Sequence, residues 1–437
     1  MGTTINPSQS AAMTREQQAA LNNLRGVLGR QLRPSSKTDP ALLAELILHN
    51  AVLMRENGLA TELLDYLERI IDKLDAEKPL YTRLTVEIAV TLDAIDGRQQ
   101  EAAEHFQMAL AWYEAHPTPL ADGQAHVAYG RFLINRSRLQ GAMLEYQRAH
   151  ELVKDYPIEA AIVQSEMGRA LVGQGKFGEA IPYFEKAYAV LRGDEQKTLR
   201  VRLIHDMASA LIEVGEVDRA EELLLEGIDN ATQQGLWLLR ANLRRQIAYI
   251  YHLRAEKSSD EASAQPYLDE AERLLNQSLA EMLPLQNSLD LAVVYHDLGR
   301  IEAQQRNYDA AEAHLRHSHE LSQRLGNLRN QAVAEFTLGT LVVLKMGDIT
   351  AGNAWLHSAL QSAEKAGDQF TQHQVVATLI RLHQLQVARA KTQSPEIRIK
   401  VIDQLSVSRV RLAEITLTEA TEATRVIAAM LAELETI

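Results

Sequence analysis

Apolar residues of alternating size recur along this chain at helical intervals. Ala180, Phe184 and Ala187 stand at i, i+4 and i+7, one face of an α-helix. The same order of small, large and small returns upstream as Ala142, Tyr146, Ala149 and as Ala102, Phe106, Ala109. Downstream it continues less perfectly, through Ala220, Leu224 and Gly227, then Ala271, Leu275 and Ser278. Ala311, Leu315, Ser318 and Gly352, Leu356, Ala359 follow, and a degenerate first copy sits at Leu63, Leu67 and Ile70. A second signature keeps step ahead of the anchors: Tyr129-Gly130, Met167-Gly168, Met207-Ala208, Leu298-Gly299 and Leu338-Gly339. Eight copies about 40 residues apart predict pairs of antiparallel helices. Small residues such as Gly168 and Ala180 let two helices approach, and Phe177 and Phe184 are expected to fill the gap to the next pair. No pair buries its apolar face alone, so neighbours must stack.

The wide step from Ala220 to Ala271 holds a polar, Ser- and Ala-rich segment, Ala255 to Gln265, expected to loop out and to be mobile. At the start, Thr14 to Leu32 reads as one amphipathic helix opened by Thr14 and Gln17, and Asp39-Pro40 is a good cap and first turn for the next helix. Near the other end, Thr371 to Ala390 predicts a helix. The run from Glu396 to Ile437 is unlike the repeats but keeps helical spacing at Ile399, Ile402, Leu405, Val410 and Ile415. It caps the array or pairs with a second copy to form a homodimer; capping is the favoured reading.

These features resemble the tetratricopeptide repeat family, carried best by Met167, Gly168, Leu171, Gly175, Phe177, Ala180, Phe184 and Ala187, over Ala41 to Leu385. The period exceeds the roughly 34 residues of the basic repeat and is similar to that of kinesin light chains and of sensor solenoids in bacterial regulators. The usual Trp of the first helix is replaced by Gln164, Ile204 and Tyr295, and most copies lack the terminal Pro. The resemblance implies an all-α, right-handed α-α superhelix with N- and C-terminal capping helices. Residues 1–40 would be tail and cap, 41–390 about eight helix pairs plus a final helix, and 391–437 the C-terminal cap or dimerisation segment. Recognition of a partner, without catalysis or cofactor, is the implied activity.

Composition narrows the partners. With 437 residues, 46% of them hydrophobic and only 11 Pro, the chain has material for one elongated helical array. A formal charge of −13 disfavours nucleic acid, which needs clustered Lys and Arg. Without an apolar run long enough to span a bilayer, or a leader-like start over Met1 to Met13, a soluble, cytoplasmic chain with no membrane partner is expected. The absence of Cys excludes thiolate metal sites and Cys nucleophiles.

Two motifs imitate chemistry. Gly173, Gly175 and Gly178 spell a GxGxxG, but a helix precedes it where a dinucleotide fold needs a strand, and Lys176 is followed by Phe177 instead of Ser or Thr. A tight helix-helix turn is the better reading. His314, His317 and His319 cluster as metal ligands can, with no completing ligand unless His296 joins them, so a solvated face is expected and no metal.

In the implied architecture the residue after each signature Gly or Ala points into an inner groove. That strip contains Arg131, Arg169, Arg245, Tyr249, Arg300 and Phe336, with Val127, His205, Ser209 and His296 beside them. The expectation is a protein- or peptide-binding adaptor whose arginines take carboxylates of a partner segment. Two alternatives stay open: the arginines pair with acids of the next repeat, or the chain is a ligand-sensing module acting on a separate effector.

Overall fold

The structure is a computed structural model that describes residues 15–32, 37–56, 59–95, 97–136, 138–193, 196–283, 288–346, 349–413 and 418–435. Among the described residues there are twenty α-helices and no strand. They form two compact units, residues 1–259 with 277–288, and residues 260–276 with 289–437.

The first unit begins with α1 (Arg15–Gln31) and continues as pairs. These are α2 (Pro40–Glu56) with α3 (Ala60–Ile71), α4 (Pro79–Asp93) with α5 (Gln99–Ala115), and α6 (Pro119–Ile134) with α7 (Leu139–Val153). Then come α8 (Pro157–Gly173) with α9 (Phe177–Val190), α10 (Lys197–Glu213) with α11 (Val217–Gln233), and α12 (Trp237–Glu256). Proline opens α2, α4, α6 and α8, where its missing N–H costs nothing. Asp39 caps α2 as expected, its Oδ1 accepting from the Ala41 amide at 2.9 Å; Thr14 lies outside the described residues. Leu28 and Leu32, at the end of α1, are buried in the core of the first pairs.

The pairing follows the size pattern. The anchors Ala102, Ala142, Ala180 and Ala220 are fully buried on second helices, and so are Tyr146, Phe184 and Leu224 one turn on. A Cβ added to Gly130 would lie 2.3 Å from the Tyr146 ring, and one added to Gly168 would lie 2.5 Å from the Phe184 ring. Phe184 therefore closes the gap inside its own pair, not the gap to the next, because the glycine opposite leaves the space there. Phe177, at the start of α9, is only half-buried. Successive first helices pack on one another, α2 on α4, α4 on α6, α6 on α8, α8 on α10 and α10 on α12, so they form one continuous layer of this unit.

The second unit contains the start of α13 (Glu261–Met282), α14 (Leu289–Gln304) with α15 (Tyr308–Arg324), and α16 (Leu328–Met346) with α17 (Ile349–Ala366). It ends with α18 (Gln369–Ala390), α19 (Pro395–Ala413) and α20 (Thr418–Glu435). Added Cβ atoms at Gly299 and Gly352 would meet Leu315 at 2.6 Å and Val343 at 2.4 Å, the same close approach.

Two expectations change. The Ala255 to Gln265 segment is not a loop, since α12 runs to Glu256 and α13 starts at Glu261. Ala255, Ala264 and Leu268 are buried, and Asp260 and Ser263 cap α13 reciprocally, the Ser263 amide donating to Asp260 Oδ1 at 2.8 Å. An Ala-rich, charged stretch has the composition of a half-solvated helix as well as that of a loop. The C-terminal run is broken into α19 and α20, with α20 packed on both α18 and α19. Leu405 is buried in that core, Ile402 half-buried, and Ile399 and Val410 are exposed; Ile415 lies outside the described residues.

Candidate functional site

The residue after each signature position is never buried. Arg131 and Arg169 are exposed, and Ser209, Tyr249, Arg300 and Thr340 are half-buried. In the first unit these side chains tie neighbouring first helices together. Arg131 on α6 donates to Glu166 on α8 at 2.8 Å, and Arg169 on α8 contacts Glu166 at 3.1 Å and Asp206 on α10 at 3.5 Å. Gln246 on α12 donates to Ser209 on α10 at 2.6 Å. A polar contact thus passes from α6 to α8, from α8 to α10 and from α10 to α12, as the internal-pairing alternative holds for Arg131 and Arg169.

The exposures within this cluster differ. The Glu166 side chain is 6% exposed, whereas Arg131 and Arg169 are 53% and 48% exposed. Tyr146 stands behind, its hydroxyl 3.5 Å from Glu166, and burial together with that carboxylate pushes the phenol up, so it stays a neutral donor. The acid lies under the guanidinium groups and orients them. A guanidinium has five N–H donors, and the pairs to Glu166 and Asp206 leave outward-facing donors unspent. Next to Arg131 a hollow of about 250 Å³ opens between α6 and α8, walled by Val127, Ala128, Ile162 and Val163. The arrangement can accept a carboxylate beside an apolar side chain.

The remaining strip residues are placed differently. Arg245 and Tyr249 are half-buried and engaged by neighbours, with the Tyr249 ring 6.2 Å from His252. In the second unit Arg300 is also half-buried and engaged, and Phe336 packs against the C-terminal core instead of standing free. His296 turns to Thr337 on α16 at 2.9 Å, the same kind of first-helix tie.

The histidine cluster is not a solvated face. His314 meets Glu302 at 2.7 Å and His319 meets Glu335 at 3.2 Å, so the two reach opposite neighbours, α14 and α16. Only His317 is exposed. Burial would raise the Glu335 carboxyl, but hydrogen bonds from His319 and Gln331 hold it below the usual range. Among the described residues no group of three His, Cys, Asp or Glu could hold a metal ion. Gly175 has φ +74° and makes the turn between α8 and α9, with the Lys176 amide returning to the Leu171 carbonyl at 3.0 Å. The GxGxxG is that turn. Among the described residues no helix is long and apolar enough to cross a membrane.

Sequence reasoning missed Glu166, Glu302 and Glu335, which are buried on first helices. A signal was present for Glu335, the one acid in the sequence of α16, whereas α8 and α14 each carry further acids that mask Glu166 and Glu302.

Residues 171–243 and 291–325 match family models described as tetratricopeptide repeat. No curated protein sequence matches the chain. Among solved structures, the apo form of RapI is 16% identical with a TM-score of 0.54, over 90% of this chain and 99% of that one. A Rap protein complexed with competence and sporulation factor is 12% identical at 0.53, over 91% and 98%. The human IFIT1 dimer with m7Gppp-AAAA is 16% identical at 0.57, over 95% and 87%. These likenesses establish the repeat fold.

Proposed function

We propose, from this chain's membership of the tetratricopeptide repeat family, that it is a non-catalytic scaffold whose first-helix layer captures a segment of a partner protein. The solved relatives hold ligands as different as competence and sporulation factor and m7Gppp-AAAA, so the fold selects none and the surface chemistry must. The observation that carries the reading is the pair Arg131 and Arg169, half-exposed above the buried Glu166 and beside the hollow lined by Val127 and Ile162. Guanidinium groups held in place by an acid lose little freedom on binding, and their spare donors match a carboxylate. The segment expected carries Asp or Glu next to an aliphatic residue. The charge of −13 keeps phosphate backbones away and does not prevent this local contact.

Selection of random peptides displayed on phage against the immobilised full chain tests it. Enrichment of acidic-aliphatic sequences is expected, with affinity falling about tenfold or more in R131Q/R169Q while the far-UV circular dichroism is unchanged. Peptides without acidic residues, or undiminished affinity in the double variant, would refute the reading.

A further inference from the structure

In the second unit α17 and α19 are pinned together at two points. The Gln404 amide donates to the Thr350 hydroxyl, and His357 Nε2 lies 2.8 Å from Ser408 Oγ. Beside these pins the helices leave a hollow of about 270 Å³. Its wall is mostly apolar, with Ala354 and Val407 prominent, but two polar groups in it are incomplete. Asn353 is only 7% exposed and its Oδ1 accepts no hydrogen bond from the described residues. Arg411 is exposed and makes no ion pair or hydrogen bond among them. A buried acceptor left unmet is costly, so among the described residues Asn353 Oδ1 lacks an N–H donor and Arg411 lacks a paired carboxylate. His357 adds no charge, since burial, and then the nearby Arg411, push its imidazole down to about 4.

We propose that this hollow binds the free C-terminal end of a peptide. The terminal carboxylate pairs with Arg411, the last amide N–H donates to Asn353 Oδ1, and a small aliphatic side chain lies against Ala354 and Val407. The end of a peptide supplies a carboxylate and an amide N–H together, for two groups that line one hollow, which a simple carboxylic acid does not. Charge fixes the rest of the ligand. Asp403 lines the same hollow two helical turns, about 12 Å, before Arg411. Glu364 lines an adjoining hollow of about 380 Å³ that shares Ala354, His357 and Arg411. With an acid on either side of the one cation, a single carboxylate is matched, a second is repelled, and a basic residue ahead of the end is favoured. The site is built of other residues than the Arg131–Arg169 pair.

Calorimetric titration of the full chain with N-acetyl-Lys-Ala-Val, its C-terminal amide and sodium acetate tests the proposal, with the His357 ring proton resonances as a local reporter. The free acid should bind and shift those resonances. Amidation, R411Q and N353L should each weaken binding about tenfold or more, while R131Q/R169Q should leave it unchanged. N353S replaces N353L if the larger side chain prevents folding. Equal binding of acid and amide, indifference to R411Q, acetate displacing the peptide at equal concentration, or no heat up to millimolar peptide would each overturn it.

Discussion

Replacing Gly168 by Ala should destabilise the protein although alanine is the better helix former. The new Cβ would lie 2.5 Å from Phe184 Cε1 and 2.8 Å from Cδ1 and Cζ, and Phe184 is fully buried. The ring cannot swing into solvent, so α8 and α9 must separate or the ring must leave its rotamer, at about 1–3 kcal/mol. Helix propensity returns about 1 kcal/mol, leaving a net loss of up to about 2 kcal/mol. Gly178, on the neighbouring helix, is the internal control, because a Cβ there meets nothing within 4 Å. G178A should gain a few tenths to about 1 kcal/mol. The two identical substitutions should therefore differ by about 2 kcal/mol, read by urea unfolding and by hydrogen exchange at the amides of α8 and α9. Adding F184L to G168A should recover about 1 kcal/mol relative to additivity. Stabilisation by G168A equal to that by G178A would refute the reasoning that glycine sets the helix spacing.

Two further outcomes follow from named groups. His357 is depressed to about 4 by burial, so the unfolded chain takes up its proton near the ordinary 6.5 and the folded one does not; the stabilisation is complete above pH 6.5 and lost as pH falls toward 4, by about 3 kcal/mol. H357Q should flatten that part of the stability profile in urea unfolding, and an unchanged acid limb would contradict it. Arg306 stands in the left-handed region at φ +62° in the turn between α14 and α15, and its ion pair with Glu261 is 68% and 70% exposed. R306G should raise the unfolding free energy by about 0.5–1 kcal/mol, and a loss would show that the backbone there is unstrained.

Much of the fold is legible in the sequence because its determinants are local. Ala142, Tyr146, Ala180 and Phe184 lie on single turns of single helices, and a glycine at position 130 or 168 declares close approach before its partner ring is known. The same locality let Asp39 be read as a cap and Gly175 as a turn. What failed was whatever depends on the next element. The stretch around Ala255 looked like a loop because an exposed helix and a loop share a composition, and only burial of Ala264 and Leu268 distinguishes them. His314 and His319 looked solvated until α14 and α16 brought Glu302 and Glu335 to them.

The candidate sites divide in the same way. Helical period and the repeat place Arg131 and Arg169 on the exposed side of first helices, so their position belongs to the sequence. Glu166 meets Arg169 three residues on in the same helix, which the period also gives, but that it reaches Arg131 as well is decided by how closely successive pairs stack, because a charge at 2.8 Å and one at twice that distance look alike in a linear chain. The hollow at Asn353 and Arg411 belongs wholly to the tertiary structure: it exists because α19 folds back on α17, a contact between residues some fifty positions apart that no periodicity encodes.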